Sequence, residues 1–258
     1  MAFYLDRRGV LRLREFEQWP WLLHGFGTRL AVGVGGAAGM KLVTLRQIHS
    51  AVTRLAGRRA PSGLKGDVLL TRRAGLLLGI RTADCLPVLL VDPRRRAVSA
   101  VHAGWRGIVR RVAEKGVGEM RLNFGSDPAG LHAAIGPGIR GCCFEVGPEV
   151  LQEFESQFGD AADYCRRETP DPALTMLPRQ FLDGKSHALM RDLASDRGSI
   201  DLAAAVRSQL RAAGLDAARI YDSGRCTACG GRLFFSYRRE KEAAGRMLAV
   251  IGVRPSRT

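Results

Sequence analysis

Thr82-Ala-Asp-Cys85-Leu-Pro-Val-Leu-Leu-Val-Asp92-Pro-Arg-Arg-Arg-Ala97-Val-Ser-Ala-Val-His102-Ala-Gly-Trp-Arg-Gly107 is the stretch on which the fold turns. Residues 86–91 are apolar without interruption, which reads as a strand covered on both faces. Asp92-Pro93 breaks the run, Arg94-Arg95-Arg96 is polar, and residues 97–101 resume it. The pattern predicts a hairpin with the four-residue loop Pro93 to Arg96. If Asp92 pairs with Ala97, then His102 lies opposite Pro87, and Cys85, two residues from Pro87, shares its face. Cys85 and His102 become diagonal neighbours about 7–8 Å apart at the backbone, within reach of one bridging metal ion. A register one residue off sends them to opposite faces.

Outward from this hairpin, strands and helices alternate. Residues 76–80 read as a second buried strand. Residues 108–124 read as an amphipathic helix interrupted by Gly116 and Gly118. A short strand at 131–135 ends in the turn Gly136-Pro137-Gly138, and a helix at 149–158 follows Gly147-Pro148. Residues 163–185, with Pro170, Pro172 and Pro178, look irregular. A helix over 199–213 is closed by Gly214. Strands are expected at 219–221, 233–237 and 247–253. The glycine-rich stretch 33–39 only touches a dinucleotide fingerprint, because an extended segment (42–45) follows where a helix should start. It reads as a loop, as does the basic segment 57–66. With no repeat and no linker, the expectation is an α/β (α+β) fold: one domain over 1–258 with a mixed β-sheet core, as one sheet or two packed sheets, flanked by helices.

The chain carries 35 arginines against five lysines and a formal charge of +15. This favours anionic partners. The basic residues are scattered and no aromatic-interleaved stripe accompanies them, which argues against nucleic-acid binding as the main function. No run of 18 apolar residues exists, so no membrane helix is expected. The first 14 residues lack the apolar core of a secretory signal, and six cysteines are sparse for a disulfide scaffold, so a cytoplasmic protein is expected.

Chemistry concentrates in three residues: His49 in Arg46-Gln-Ile-His49, Cys85 and His102. Two imidazoles and a thiolate suit zinc, and three protein ligands leave a position open, as catalytic zinc requires. The same set is known for copper. A multicopper oxidase needs a histidine-rich trinuclear cluster as well, and only His24, His132 and His187 remain. Zinc is therefore favoured over copper. Cys226-Thr-Ala-Cys229 is a lone C-x-x-C with no second pair, and no P-loop, Gly-x-Ser-x-Gly elbow or zinc-deaminase signature is present.

The segments Arg46-Gln-Ile-His49, Thr82 to Asp92, Val101-His-Ala-Gly-Trp-Arg-Gly107, Ala134-Ile-Gly-Pro137, Cys143-Phe-Glu-Val-Gly147, Cys226-Thr227 and Phe234-Phe-Ser-Tyr-Arg-Arg239 together resemble the multicopper polyphenol oxidase, or laccase-domain, family. Members of that family are described as purine nucleoside phosphorylases with adenosine deaminase activity, and one bacterial branch as peptidoglycan editing factor. The likeness runs in order over most of the chain. It departs in the short glycine-rich 31–40 stretch, in Phe144 where the family often has Tyr, and in the extra Cys229.

The resemblance implies zinc on His49, Cys85 and His102. It also implies phosphorolysis of adenosine, inosine or methylthioadenosine, with deamination as a second activity. Asp84 is the candidate proton shuttle beside the catalytic candidates Cys85 and His102. Arg46, Arg106 and Arg238 are the candidates for holding substrate phosphate. The expected partners are a purine nucleoside and phosphate, and the sequence leaves the oligomeric state open. Two alternatives stand: a zinc-free thiol hydrolase acting on peptidoglycan precursors, with Cys85 as nucleophile and His102 as base, and a basic, non-enzymatic nucleic-acid-binding protein.

Overall fold

The structure, a computed structural model, describes residues 2–31, 39–57, 63–168 and 197–255. They form two compact units, one of residues 1–140 with 202–258 and one of residues 141–201.

The first unit holds two six-stranded mixed sheets. In the first, the order is β1 (Phe3–Leu5), β2 (Leu11–Leu13), β3 (Leu22–Phe26), β15 (Met247–Val253), β7 (Leu76–Thr82) and β4 (Lys41–Thr44). In the second it is β14 (Ile220–Asp222), β10 (His132–Ile135), β8 (Leu86–Asp92), β9 (Ala97–Ala103), β6 (Val68–Thr71) and β5 (Thr53–Leu55). The chain crosses from one sheet to the other between Thr82 and Leu86.

The two sheets pack face to face. Strand alternation sends Leu76, Leu78 and Ile80 of β7 into a core shared with Leu89 and Val91 of β8 and Val98 and Ala100 of β9. Leu77 faces the other way, into a smaller cluster with Val10, Leu23 and Val250. This accounts for the unbroken apolar run of β7: both of its faces are covered. Burial of each such side chain contributes about 1.5–3 kcal/mol.

The hairpin forms in the expected register, with Asp92 opposite Ala97 and Pro87 opposite His102. Asp92 also closes its own loop by accepting the amides of Arg94 and Arg95, both at 2.9 Å.

Helices cover the second sheet. The expected helix over 108–124 is two: α1 (Trp105–Val109) and α2 (Val112–Phe124). The break falls at Arg111, whose left-handed φ of 57° starts α2, and not at the glycines. Gln209 of α4 (Leu202–Ala212) holds the break open, donating to the Ile108 carbonyl at 2.6 Å and accepting from the Ala113 amide at 3.3 Å. Gly116 serves packing instead: a Cβ there would sit 3.0 Å from Val101 and 3.4 Å from Leu90 on the sheet below.

In the second unit, β11 (Glu145–Val146), β13 (Gly198–Ile200) and β12 (Cys165–Arg167) form an antiparallel sheet, with α3 (Pro148–Gln157) N-terminal to β12. Residues 165–167 are thus a strand, where an irregular segment was expected; residues 169–185 lie outside the described ones. The helix expected from Ser199 begins only at Leu202, because Gly198 to Ile200 pair with both neighbouring strands. Gly214 does close α4, with φ 97°.

The strand expected over 233–237 is not formed. Phe234 and Ser236 are buried, and Ser236 caps the short helix α5 (Tyr237–Glu240) by accepting from the Arg239 amide. The apolar residues there anchor a turn rather than line a sheet face. Among the described residues no helix is long and apolar enough to cross a membrane.

Candidate metal centre

Three segments from both sheets deliver the trio. His49 follows β4 in a turn where its φ is 56°; Cys85 stands in the crossover before β8; His102 is the sixth residue of β9. One ligand atom from each lies within 4.8 Å of the others. Cys85 Sγ is 3.8 Å from His49 Nε2, and the two imidazole rings meet edge to face at 5.0 Å. His102 is buried, Cys85 half-buried and His49 exposed, so the group opens to solvent on the His49 side.

The fit of this group to a metal ion can be tested on its surroundings. Gly104 leaves the trio its room: a Cβ there would stand 2.8 Å from Cys85 Sγ and 2.9 Å from the His49 ring. The donors are two nitrogens and one sulfur, the soft set that zinc and copper accept. Both tests are met.

Asp67, which the sequence reading missed, organises the site. It precedes β6 and lies across from His102 in the β6–β9 ladder, where the His102 amide donates to its carbonyl at 2.8 Å. The His102 ring donates Nδ1–H to Asp67 Oδ1 at 2.8 Å. That fixes the tautomer and leaves Nε2 free to act as a ligand.

The same carboxylate accepts the amides of Ile48 (3.2 Å), His49 (3.0 Å) and Ser50 (2.7 Å), and the Ser50 hydroxyl at 2.6 Å. One buried side chain thus holds one histidine by its ring and the other by its backbone. The only sequence cue is an acid between Gly66 and an apolar strand, which does not reveal its partners. Gln47 secures the turn from outside, exchanging two hydrogen bonds with the Arg81 backbone. Arg110, also missed, donates to the His49 carbonyl at 3.0 Å.

Electrostatics follow from the contacts. Burial pushes the Cys85 thiol up, but the facing His102 and His49 imidazoles bring it down to about 6. Burial disfavours a charged His102, yet the Cys85 charge and the Asp67 hydrogen bond raise it to about 9. Burial also opposes the Asp67 charge, and the hydrogen bonds from His102 and Ser50 outweigh it and hold the carboxyl at about 2. Between about pH 6 and 9 the metal-free pair is therefore a thiolate beside an imidazolium, and a metal ion takes Nε2 by displacing its proton.

The other candidates are placed differently. Asp84 has a left-handed φ of 91°, and both carboxylate oxygens are engaged: Thr227 Oγ1 donates to one and the Arg238 amide to the other, each at 2.6 Å. Its carbonyl accepts from the Ile139 amide at 2.7 Å. These bonds make Asp84 a clip that fixes the crossover carrying Cys85. Arg106 is exposed and stacks on the Trp105 ring at 4.3 Å; Arg46 is exposed beside the His49 turn. Arg238 touches the site through its backbone bond to Asp84. The remaining histidines in the described residues are elsewhere: His24 accepts from the Leu13 amide, and His132 stacks on Tyr221. They cannot complete a trinuclear copper cluster around this trio.

Residues 28–254 match the family model for multi-copper polyphenol oxidoreductase laccase. A protein of Deinococcus radiodurans named purine nucleoside phosphorylase is 37% identical over 225 residues, covering 87% of this chain and 75% of its own length. Adenosine deaminase RL5, from an unknown prokaryotic organism, is 37% identical over 214 residues, covering 80% of this chain and 72% of its own. The crystal structure of YlmD from Geobacillus stearothermophilus superposes with a TM-score of 0.76 at 27% identity, over 98% of this chain and 99% of that one. With the motifs and the fold in agreement, the chain belongs to the multi-copper polyphenol oxidoreductase laccase family.

Proposed function

We propose that the chain is a zinc-dependent enzyme that cleaves purine nucleosides by phosphorolysis, with adenosine and inosine as substrates and adenosine deamination as a second activity. The single observation that carries the reading is the convergence of His49, Cys85 and His102 on one point, under the shared control of Asp67. The names of the similar proteins supply the substrate class.

Metal held by these three side chains supplies a Lewis acid at an opening on the surface. The protein's own part is positioning. Asp67 keeps His102 Nδ1 protonated and its Nε2 directed inward. Arg110 and Gln47 hold the His49 turn. In phosphorolysis the C1′–N9 bond of the nucleoside breaks, a C1′–oxygen bond to phosphate forms, and the purine leaves with a proton. Arg106, four residues after His102, and Arg46, three before His49, are exposed and are the candidates to hold the phosphate.

The test is incubation of zinc-loaded protein with adenosine and phosphate, resolving adenine, inosine and hypoxanthine. Absence of all three products ends the proposal.

A second reading rests on one specific observation. Asp67, His102 and Cys85 follow one another in hydrogen-bond order, as an orienting acid, a base and a nucleophile would. A thiol hydrolase of peptide-like cell-wall precursors fits that order. Chelation separates the two readings: it abolishes phosphorolysis and leaves a thiol hydrolase active.

A further inference from the structure

Apart from the metal centre, the first unit contains a cavity of about 550 Å³. Strand register puts it at the far end of the first sheet. Thr82, which leads to Cys85, pairs with Met247, whereas Leu22 of the cavity wall pairs with Val253 at the opposite end of β15. Four arginines line it, Arg7, Arg8, Arg12 and Arg254, against two acids, Asp6 and Glu17.

Asp6 is paired with Arg12 at 2.8 Å; Glu17 accepts from the Tyr4 hydroxyl and keeps its negative charge. Arg7 and Arg8 are exposed and have no ion pair among the described residues. With four arginines against two acids the lining carries a net positive charge, beside a fixed Arg12 whose Nη1 is anchored on the His24 carbonyl at 2.5 Å.

His24 points the same way. It lines the cavity and is only 3% exposed. Its Nε2 accepts from the Leu13 amide at 3.0 Å, so the ring proton sits on Nδ1. That N–H has no partner among the described residues. Burial, with Arg12 nearby, keeps the imidazole neutral, down at about 3, so it offers a donor and not a charge. The N–H is not sealed from solvent, so water or a ligand in the cavity can reach it.

We propose that this cavity is a second ligand site, separate from the metal centre, for a phosphate dianion carried by a small organic molecule. Arg7 and Arg8 hold the phosphate oxygens at the mouth, where guanidinium groups bind such anions in forked pairs. His24 Nδ1–H supplies the inner donor. The volume lies in the range of organic-ligand pockets and exceeds the needs of a bare phosphate ion. Trp19 and Pro20 give the wall an apolar surface for the organic part.

The test is isothermal titration of the zinc-loaded protein with adenosine 5′-monophosphate, inorganic phosphate and adenosine, each against wild type, the Arg7→Ala/Arg8→Ala double variant and Cys85→Ser. Arg7 and Arg8 are exposed turn residues, so the double variant keeps the fold. The proposal expects the monophosphate to bind wild type and Cys85→Ser alike, and at least tenfold more weakly to the double variant. Tighter binding of the monophosphate than of inorganic phosphate supports the proposal; equal binding of the two overturns the organic part and leaves a site for free phosphate. No binding of either anion overturns the proposal. So does binding that Cys85→Ser abolishes and the double variant keeps, or adenosine binding as tightly as its monophosphate with no dependence on the arginines.

Discussion

Asp67→Asn is the sharpest test of the centre, because it keeps shape and changes only charge and donor pattern. Oδ1 of Asp67 serves His102 Nδ1 and the His49 amide, and Oδ2 serves the Ser50 amide and hydroxyl. An amide has one oxygen, so either orientation turns an NH2 group toward donors. One orientation strips the support of both histidines; the other strips Ser50, which closes the same turn. Each buried donor left unpaired costs about 1–3 kcal/mol. Losing such a partner of a metal-bound histidine weakens metal affinity by about 10–100-fold, which is about 1.4–2.8 kcal/mol. Zinc affinity measured by competition with a chromophoric chelator should fall by that factor, and the metal-free protein should melt earlier. If Asp67→Asn binds zinc within about threefold of wild type, the carboxylate does not organise the site and the reasoning fails.

Further outcomes follow from the same geometry. Gly104→Ala has an allowed backbone, with φ −82°, but drives a methyl into Cys85 and His49; it should lower zinc affinity at least tenfold while far-ultraviolet circular dichroism stays unchanged. Zinc uptake should tighten about tenfold per pH unit between about 6 and 9, since His102 keeps its proton up to about 9 and must lose it to bind. Below about 6 Cys85 is protonated too and the dependence should steepen toward two protons, while above about 9 it should flatten; a chelator competition repeated across pH measures this. Arg106→Ala should raise the KM for phosphate about tenfold with the KM for adenosine little changed, and equal changes in both would remove Arg106 from the phosphate site. Thr227→Val leaves one Asp84 oxygen unpaired and should cost about 1–3 kcal/mol in urea unfolding; an unchanged midpoint would show that the clip is idle.

Much of the centre was readable because the hairpin is written in strict local terms. Two apolar runs, a proline and three arginines determine the loop, and the loop determines which residue faces His102. His49, Cys85 and His102 carried their own signal through donor chemistry. Asp67 did not, since its partners lie on two other segments and nothing in Gly66-Asp67-Val68 announces them. The α1–α2 break was misplaced because its cause, Gln209, is a distant side chain. The 233–237 error has a different origin: aromatic residues suit a strand locally, and the Ser236 cap outweighs that preference. For Asp84 the sequence suggests either orienting a ligand or shuttling a proton, and its bonds to Thr227 and Arg238 suit the orienting role.

The three ligands arrive from three places that only the finished pair of sheets brings together. No isolated hairpin or fragment can present the full set, so metal acquisition comes after folding rather than guiding it. The apolar core contains none of the three ligands, so its packing does not depend on an ion. A metal ion that suits the trio would therefore enter a site already assembled, with no further folding needed to complete it.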